Sequence, residues 1–299
     1  MRKRNLQLRA NIIREIRNFF HVQGFLEVET PLRIPANAPE EHIEPCRAGG
    51  WYLQTSPEIA MKRLLCCGYD KIFQISKCWR DGERGSRHVP EFTMLEWYRG
   101  NSDYHRLMQD CEELLSFLAD TTVCGNNITY QGRPLNLRHK AERISVKEAF
   151  KSFASMEMSK AIRTGCFDQL LVTEIEPALP QDKPVMLTEY PAEMAALARL
   201  KPGDASVAER FELYAGGLEL ANGFSELNDP AEQKKRFDEA NLKRLQNGFP
   251  PLPLPEPFLN DLSAMPPAAG IALGIDRLVM LLADAATIDE VVAFTPEEL

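Results

Sequence analysis

Two β-like runs flank one long charged loop, and that arrangement restricts the fold of this chain more than any other feature. Lys71–Trp79 carries Ile72, Phe73, Ile75 and Trp79, and residues 91–98 form a second such run. Between them lies Arg80-Asp81-Gly82-Glu83-Arg84-Gly85-Ser86-Arg87-His88-Val89-Pro90. Runs of this kind, adjacent in sequence, pair as an antiparallel hairpin. A connection this much longer than an ordinary hairpin turn is usually functional.

The flanking sequence supplies helices to cover a sheet. Residues 5–23 space Leu8, Ile12, Ile16, Phe19 and Phe20 at helical intervals, and residues 103–120 do the same with Leu107, Cys111, Leu114, Leu115 and Leu118. After Gly24, residues 25–31 alternate apolar and acidic side chains up to Pro31, the pattern of a strand running to its end. Residues 211–226 read as two strands around Ala215-Gly216-Gly217, because a glycine pair between β-like runs marks a hairpin. A charged amphipathic helix follows at 229–247, then a proline-rich extended connector (Pro250, Pro251, Pro253, Pro255, Pro257). The chain closes with a glycine-bearing strand at 270–274 running into a helix at 276–282. No sequence repeat is found, and the order of elements predicts an α+β fold, a mixed antiparallel sheet with helices, in place of alternating βαβ units.

Composition excludes several classes of function. With 44% hydrophobic and 26% charged residues, the 299-residue chain has globular proportions and can bury a core. Its most apolar stretch, residues 271–283, is interrupted by Asp276 and Arg277 and falls short of the ~20 apolar residues of a membrane span. The basic N-terminus leads into a polar helical pattern and not a signal core, so the cytoplasm is expected. A balance of 35 basic to 43 acidic side chains, net −8, argues against a surface built throughout to grip nucleic acid. The seven cysteines, at 46, 66, 67, 78, 111, 124 and 166, lack paired C-x-x-C spacing and read as reduced structural thiols.

Two clusters carry chemistry. Arg80, Arg84, Arg87 and His88 on one loop suit a polyphosphate, because guanidinium forks bind phosphate oxygens bidentately. A solvated hairpin tip would carry the same residues. The second cluster favours the phosphate: Glu212, Glu219 and Glu226 recur through an otherwise apolar, glycine-rich hairpin, where unpaired carboxylates are costly to bury. They need cations, and a Mg²⁺ ion held by one or two carboxylates plus substrate phosphates would meet that need, as would surface salt bridges. Odd spacing puts Glu219 and Glu226 on opposite faces of an ideal strand, so a bulge near Gly223 is expected to bring them together. In residues 270–277, missing side chains at Gly270 and Gly274 would let a ligand lie against backbone just ahead of Arg277.

In order, residues 25–31, residues 80–98 and residues 270–277 resemble motifs 1, 2 and 3 of class II aminoacyl-tRNA synthetases. Thr55-Ser56-Pro57-Glu58 with Met61-Lys62-Arg63-Leu64-Leu65, residues 90–98, and residues 209–227 look like the lysyl branch. The resemblance covers essentially the whole chain. It implies the class II catalytic fold, an antiparallel β-sheet flanked by helices, formed by residues 1–299 as one domain. Motif 1 begins so early that no N-terminal anticodon-binding OB domain is expected, and the chain resembles truncated lysyl-tRNA synthetase paralogues that lysylate elongation factor P.

The resemblance also implies roles. Arg80 would hold the α-phosphate of ATP and His88 the γ-phosphate, Phe92 would stack on adenine, and Arg277 would close over the nucleotide. Gly82, Glu83, Val89, Leu220 and Gly274 would complete the ATP site, and Glu212 and Glu219 would bind Mg²⁺. Glu58 would face the α-amino group, with Tyr98 and Glu226 receiving the ε-ammonium and Ser56, Glu96, Asn222 and Phe224 shaping the pocket. Ala272 stands where the synthetases usually have glycine, and its methyl would favour (R)-β-lysine over lysine. Pro31 would lie at the interface of a homodimer.

Two positions depart from the pattern. The family's Arg-x-Glu reads Arg80-Asp81-Gly82 here, with the glutamate one place later at Glu83, and Val89 replaces a common asparagine. Either the loop shifts or adenine is met by backbone. The implied reaction is activation of lysine or (R)-β-lysine by ATP, then transfer to a lysine ε-amine of elongation factor P. Charging of tRNA, disfavoured by the absent anticodon domain, and binding of an amino acid or its adenylate without chemistry are the alternatives.

Overall fold

The structure, a computed structural model, describes residues 2–122 and 128–299. Cys124 lies outside them, and the other six cysteines are free thiols. Eight strands form the central sheet: β1 (Leu26–Glu27), β2 (Lys71–Trp79), β3 (Glu91–Gly100), β4 (Glu142–Ser145), β5 (Val185–Thr188), β6 (Arg210–Ala215), β7 (Leu218–Ser225) and β8 (Ala268–Gly274). Their order across the sheet is β1-β2-β3-β8-β7-β6-β5-β4. The six central strands are antiparallel, as the sequence predicts; only the edge pairs β1/β2 and β4/β5 run parallel. Long helices are α1 (Arg2–Val22), α2 (Glu58–Cys66), α3 (Tyr104–Thr122), α4 (Pro230–Gln246) and α5 (Ile275–Ala283). Among the described residues no helix is long and apolar enough to cross a membrane.

Alternation along the strands divides the sheet into two faces. Leu95 and Trp97 of β3, Ile271 and Leu273 of β8, Ala221 of β7, and Phe211 and Leu213 of β6 join one core with the buried stripes of α1, α3 and α5. Ile12, Ile16, Phe19 and Phe20 are the buried apolar residues of α1, at the expected positions. The intervening residues of the same strands face the other way and build the site. The motif 3 turn is fastened to the sheet by buried Asp276, which accepts from Arg9 Nη1 (2.6 Å) and from the Thr93 backbone N–H (2.6 Å).

Three local expectations need correction. The strand expected over residues 25–31 shrinks to Leu26–Glu27: Val28 N–H still donates to Phe73 O (2.9 Å), but Pro31 has no N–H with which to continue a ladder. The bulge lies not near Gly223 but at Leu220, since Leu213 faces Ala221 while Tyr214 faces Glu219. It still swings Glu219 onto the face of Asn222 and Phe224. The proline connector is shorter than its sequence suggests, because a helical turn at Glu256–Asp261 takes in Pro257 at a first-turn position where a missing N–H costs little. At the other glycine pair, Gly216 (φ +59°) and Gly217 (φ +76°) both take the left-handed conformation that a tight hairpin turn requires.

Candidate active site

Two rows of side chains cross the open face of the sheet. In the first, Glu96 of β3, Ala272 of β8, Asn222 of β7 and Glu212 of β6 stand opposite one another on successive strands. In the second, Tyr98, Gly270, Phe224 and Arg210 do the same. Cross-strand neighbours sit roughly 5 Å apart, so residues distant in sequence become adjacent without any loop having to fold over. Up to Asn222 and Phe224 the rows floor a cavity of about 330 Å³, roofed in part by the loop between β2 and β3, while Glu212 and Arg210 at their β6 end lie outside its lining.

One end of the cavity is a sealed carboxylate cluster. Ser56 Oγ donates to Glu96 Oε1 (2.5 Å) and Tyr98 Oη donates to Glu96 Oε2 (2.8 Å), while Glu58 begins α2 beside them. One helical turn on, Lys62 is 0% exposed; its Nζ lies 2.5 Å from Glu58 Oε1, 2.6 Å from Glu226 Oε2 and 5.0 Å from the centre of the Phe224 ring. Glu226 is itself 1% exposed, does not line the cavity, and leaves Oε1 without a hydrogen-bond partner. Burial, with Glu58's charge in support, pushes the Glu96 carboxyl up to about 8. Burial takes Glu226 to about 8 as well, against the pull of Lys62. For Lys62 burial works against the charge, but Glu226 and Glu58 together outweigh it and the pKa rises. Gly270 makes this convergence possible: a Cβ there would collide with the Tyr98 ring and the Glu226 carboxylate.

The other end is cationic and open. Arg80 stacks over Phe92 at 5.1 Å, its Nε is buried without a partner, and both residues line the cavity. Asp81 N–H donates to Glu44 O (2.7 Å), and Gly82 takes φ +74° in the turn that carries Glu83 back to within 3.8 Å of Arg80. That turn accounts for the displaced glutamate: Glu83 lines the cavity, and Gly82 does not. Val89 is 4% exposed and packs into the core, so at this position the backbone is what remains to meet a base. Arg277 reaches across from α5 to Glu219 O (2.9 Å), Glu219 Oε2 (3.1 Å) and His88 Nε2 (2.6 Å). Since arginine has only donors, His88 Nε2 accepts; burial and Arg277's charge hold its pKa down and keep the ring neutral. Leu220 and Gly274 line the wall between these groups. Arg84, expected among the phosphate-facing cations, instead pairs outward with Glu297 and Asp289, both at 2.9 Å.

Over residues 1–298 the sequence matches the family model for tRNA synthetases class II (D, K and N). The chain belongs to that family. It is 40% identical over 310 residues to the elongation factor P–(R)-β-lysine ligase of Hamiltonella defensa subsp. Acyrthosiphon pisum (strain 5AT), covering 98% of this chain and 95% of the relative. The proteins of the same name from Pseudoalteromonas translucida (strain TAC 125) and Salmonella typhi are 41% and 40% identical, each covering 97% of this chain and 94% of the relative.

In this class II chain each of the three hairpin carboxylates has found a protein cation. Glu212 accepts from Arg210 Nη2 (2.7 Å) and Tyr214 Oη (2.7 Å), Glu219 pairs with Arg277, and Glu226 with Lys62. Among the described residues no group of three His, Cys, Asp or Glu is arranged as a metal site. Glu219 is raised by burial and by the charge of Glu212, so the two carboxylates lie within reach of each other's charge. Pro31 is exposed and lies away from the cavity.

Lys62, Arg210 and Glu40 are the cavity's unforeseen neighbours. The signal for the first was an i,i+4 spacing from Glu58, and for the second a two-residue step from Glu212 along a strand. Glu40 had no signal: it comes from an irregular segment whose backbone is pinned by buried Arg244, which donates to Glu40 O (3.0 Å) and Ile43 O (2.8 Å).

Proposed function

We propose that this enzyme activates lysine or (R)-β-lysine with ATP as the aminoacyl-adenylate and transfers it to a lysine ε-amine of elongation factor P, residues 1–299 acting as one catalytic domain. The observation that carries the reading is a single cavity with buried carboxylates at one end and an unpartnered arginine N–H at the other. A diamino acid lying along it has its ammonium groups toward Glu58, Glu96, Tyr98 and Glu226. Its carboxylate then lies toward Arg80, where the α-phosphate of ATP would sit. The named ligases similar to this chain support the same acceptor and the same substrate class.

The carboxylate is already ionised, so the first step needs no base. It attacks the α-phosphorus and pyrophosphate leaves, with positioning and charge neutralisation by Arg80 and Arg277 as the resources. Phe92 and the Val89 backbone would hold adenine, and neutral His88 would meet the γ-phosphate as a hydrogen-bonding group. The Glu212/Glu219 pair would hold Mg²⁺, which supplies charge compensation for the phosphates, and two carboxylates are the number such a site uses alongside substrate oxygens. In the second step the acceptor amine attacks the adenylate carbonyl and AMP leaves. That amine must shed a proton from a group with pKa ~10.4. Glu40 is suited to receive it, because it lines both this cavity and a neighbouring one of about 520 Å³, and burial pushes its carboxyl up to about 7.

A cytoplasmic homodimer fits the same reading. Val22, Leu26, Leu32 and Trp51, on segments near Pro31, are large apolar side chains left exposed, the surface a partner copy would cover. The decisive assay supplies ATP, Mg²⁺ and either L-lysine or (R)-β-lysine, offers elongation factor P and tRNA-Lys in parallel, and follows acceptor masses. A mass gain on elongation factor P alone, larger with (R)-β-lysine because of the Ala272 methyl, is the expected result. Charging of tRNA-Lys, or neither transfer nor pyrophosphate exchange, would overturn it.

A further inference from the structure

Lys62 has no place in the mechanism above, yet it is a fully buried ammonium at the end of the cavity where the substrate's own ammonium groups are expected. Charge counting gives it one. Glu58 and Lys62 project from α2, Glu96 and Tyr98 from β3, and Glu226 follows β7, with the Phe224 ring and Gly270 closing the floor. Two further titratable groups feel the charge of this cluster: Cys78 of β2, raised by burial and by Glu96, and Glu40, raised by burial and by Glu58. Three carboxylates and one ammonium leave a net charge of −2, a formal deficit of two positive charges. A buried cluster does not sustain such a deficit, because isolated charges in a low-dielectric site are too costly; it takes up protons or cations until it is close to neutral.

We propose that Lys62 is a built-in counter-ion that sets this deficit at two, so that the empty pocket holds two protons and a diamino acid displaces them with its two ammonium groups. The inference rests on the reading of this end as the amine subsite. Lys62 is then a positioning residue: it holds Glu58 and Glu226 2.5 and 2.6 Å from one nitrogen and fixes how much further positive charge the pocket admits. An amino acid with one ammonium leaves the cluster one charge short. The raised carboxyls of Glu96 and Glu226, both about 8, identify the sites that carry the displaced protons near neutral pH. Substrate binding therefore strengthens as pH rises from 6 toward 8, while the substrate's amines remain protonated.

The wild-type protein decides the matter by calorimetric titration with L-lysine or (R)-β-lysine at pH 7 in two buffers of different ionisation enthalpy. Release of about two protons per bound amino acid is expected. Binding without proton release overturns this inference and leaves the substrate reading intact, whereas no binding of either isomer overturns the reading itself. In kinetics, Lys62→Met raises the deficit to three. The KM for the amino acid should rise about 30-fold and the KM for ATP should stay within about twofold. The acid limb of kcat/KM should move up by about one pH unit. Adding Glu58→Gln to Lys62→Met restores the count of two and should return that limb toward its wild-type position. An unmoved limb, or tighter amino-acid binding because Lys62 had merely occupied the ammonium's place, overturns the proposal.

Discussion

The two ends of the cavity hold opposite charges in opposite surroundings. At the nucleotide end the Arg277 side chain is 21% exposed and its partner Glu219 36%, so water shares in this ion pair. At the amine end the side chains of Lys62 and Glu226 are both buried, and each depends on the other. Ion pairs in water contribute about 0–1 kcal/mol, whereas removing one partner of a buried pair costs about 3–5 kcal/mol. The open end can therefore absorb departures from the family pattern, such as Gly82 and Val89, by shifting a turn or relying on backbone. The sealed end has no such freedom.

That contrast predicts a steep gradient of mutational effects. Glu226→Ala should show the largest: it strands Lys62 on one carboxylate and removes the group beneath Gly270, so lysine-dependent pyrophosphate exchange should fall by about 1,000-fold or more while ATP still binds. Unchanged exchange in a folded variant would break the comparison at its strongest point. Gly270→Ala comes next. Its added methyl meets the Tyr98 ring and the Glu226 carboxylate, neither of which can retreat from a closed cluster. Overpacking of this kind costs about 1–3 kcal/mol, which puts the KM for the amino acid up by roughly 10- to 100-fold, measurable by exchange at saturating ATP.

Much of this layout could be read from the chain. Residues 71–79, 91–98 and 270–274 were legible as strands, and the glycine pair at 216 and 217 located the hairpin that carries the acidic residues. Ordered motifs singled out Arg80, His88, Phe92 and Arg277, and the structure brings all four to one end of one cavity. What stayed hidden depended on partners far apart in sequence. Nothing near Glu226 announces Lys62, because the pairing is created only when α2 packs under the sheet. Arg84 looked like its neighbours in the loop until the C-terminal residues Asp289 and Glu297 supplied a different partner. The bulge was required by parity, but its place at Leu220 is set by how β6 and β7 pair, which spacing alone does not reveal.

Gly82→Ala makes the smallest and sharpest test, because it repeats the Gly270 substitution at the other end. Both add one methyl to a glycine of the family's motif segments. At Gly270 the obstacle is space; at Gly82 nothing lies within 4 Å of the added carbon, and the obstacle is the left-handed backbone at φ +74°. A single L-residue held in that region costs about 1–2 kcal/mol, and in an exposed loop part of it is relieved by relaxation of the turn. Toward the cavity the turn serves only to bring Glu83 back beside Arg80, a half-buried pair 3.8 Å apart. The KM for ATP should therefore rise by no more than about threefold, with the KM for the amino acid unchanged. If Gly82→Ala instead raised the KM for ATP as much as Gly270→Ala raises that for the amino acid, Glu83 would be positioning adenine itself, and the nucleotide end would be as tightly specified as the sealed one.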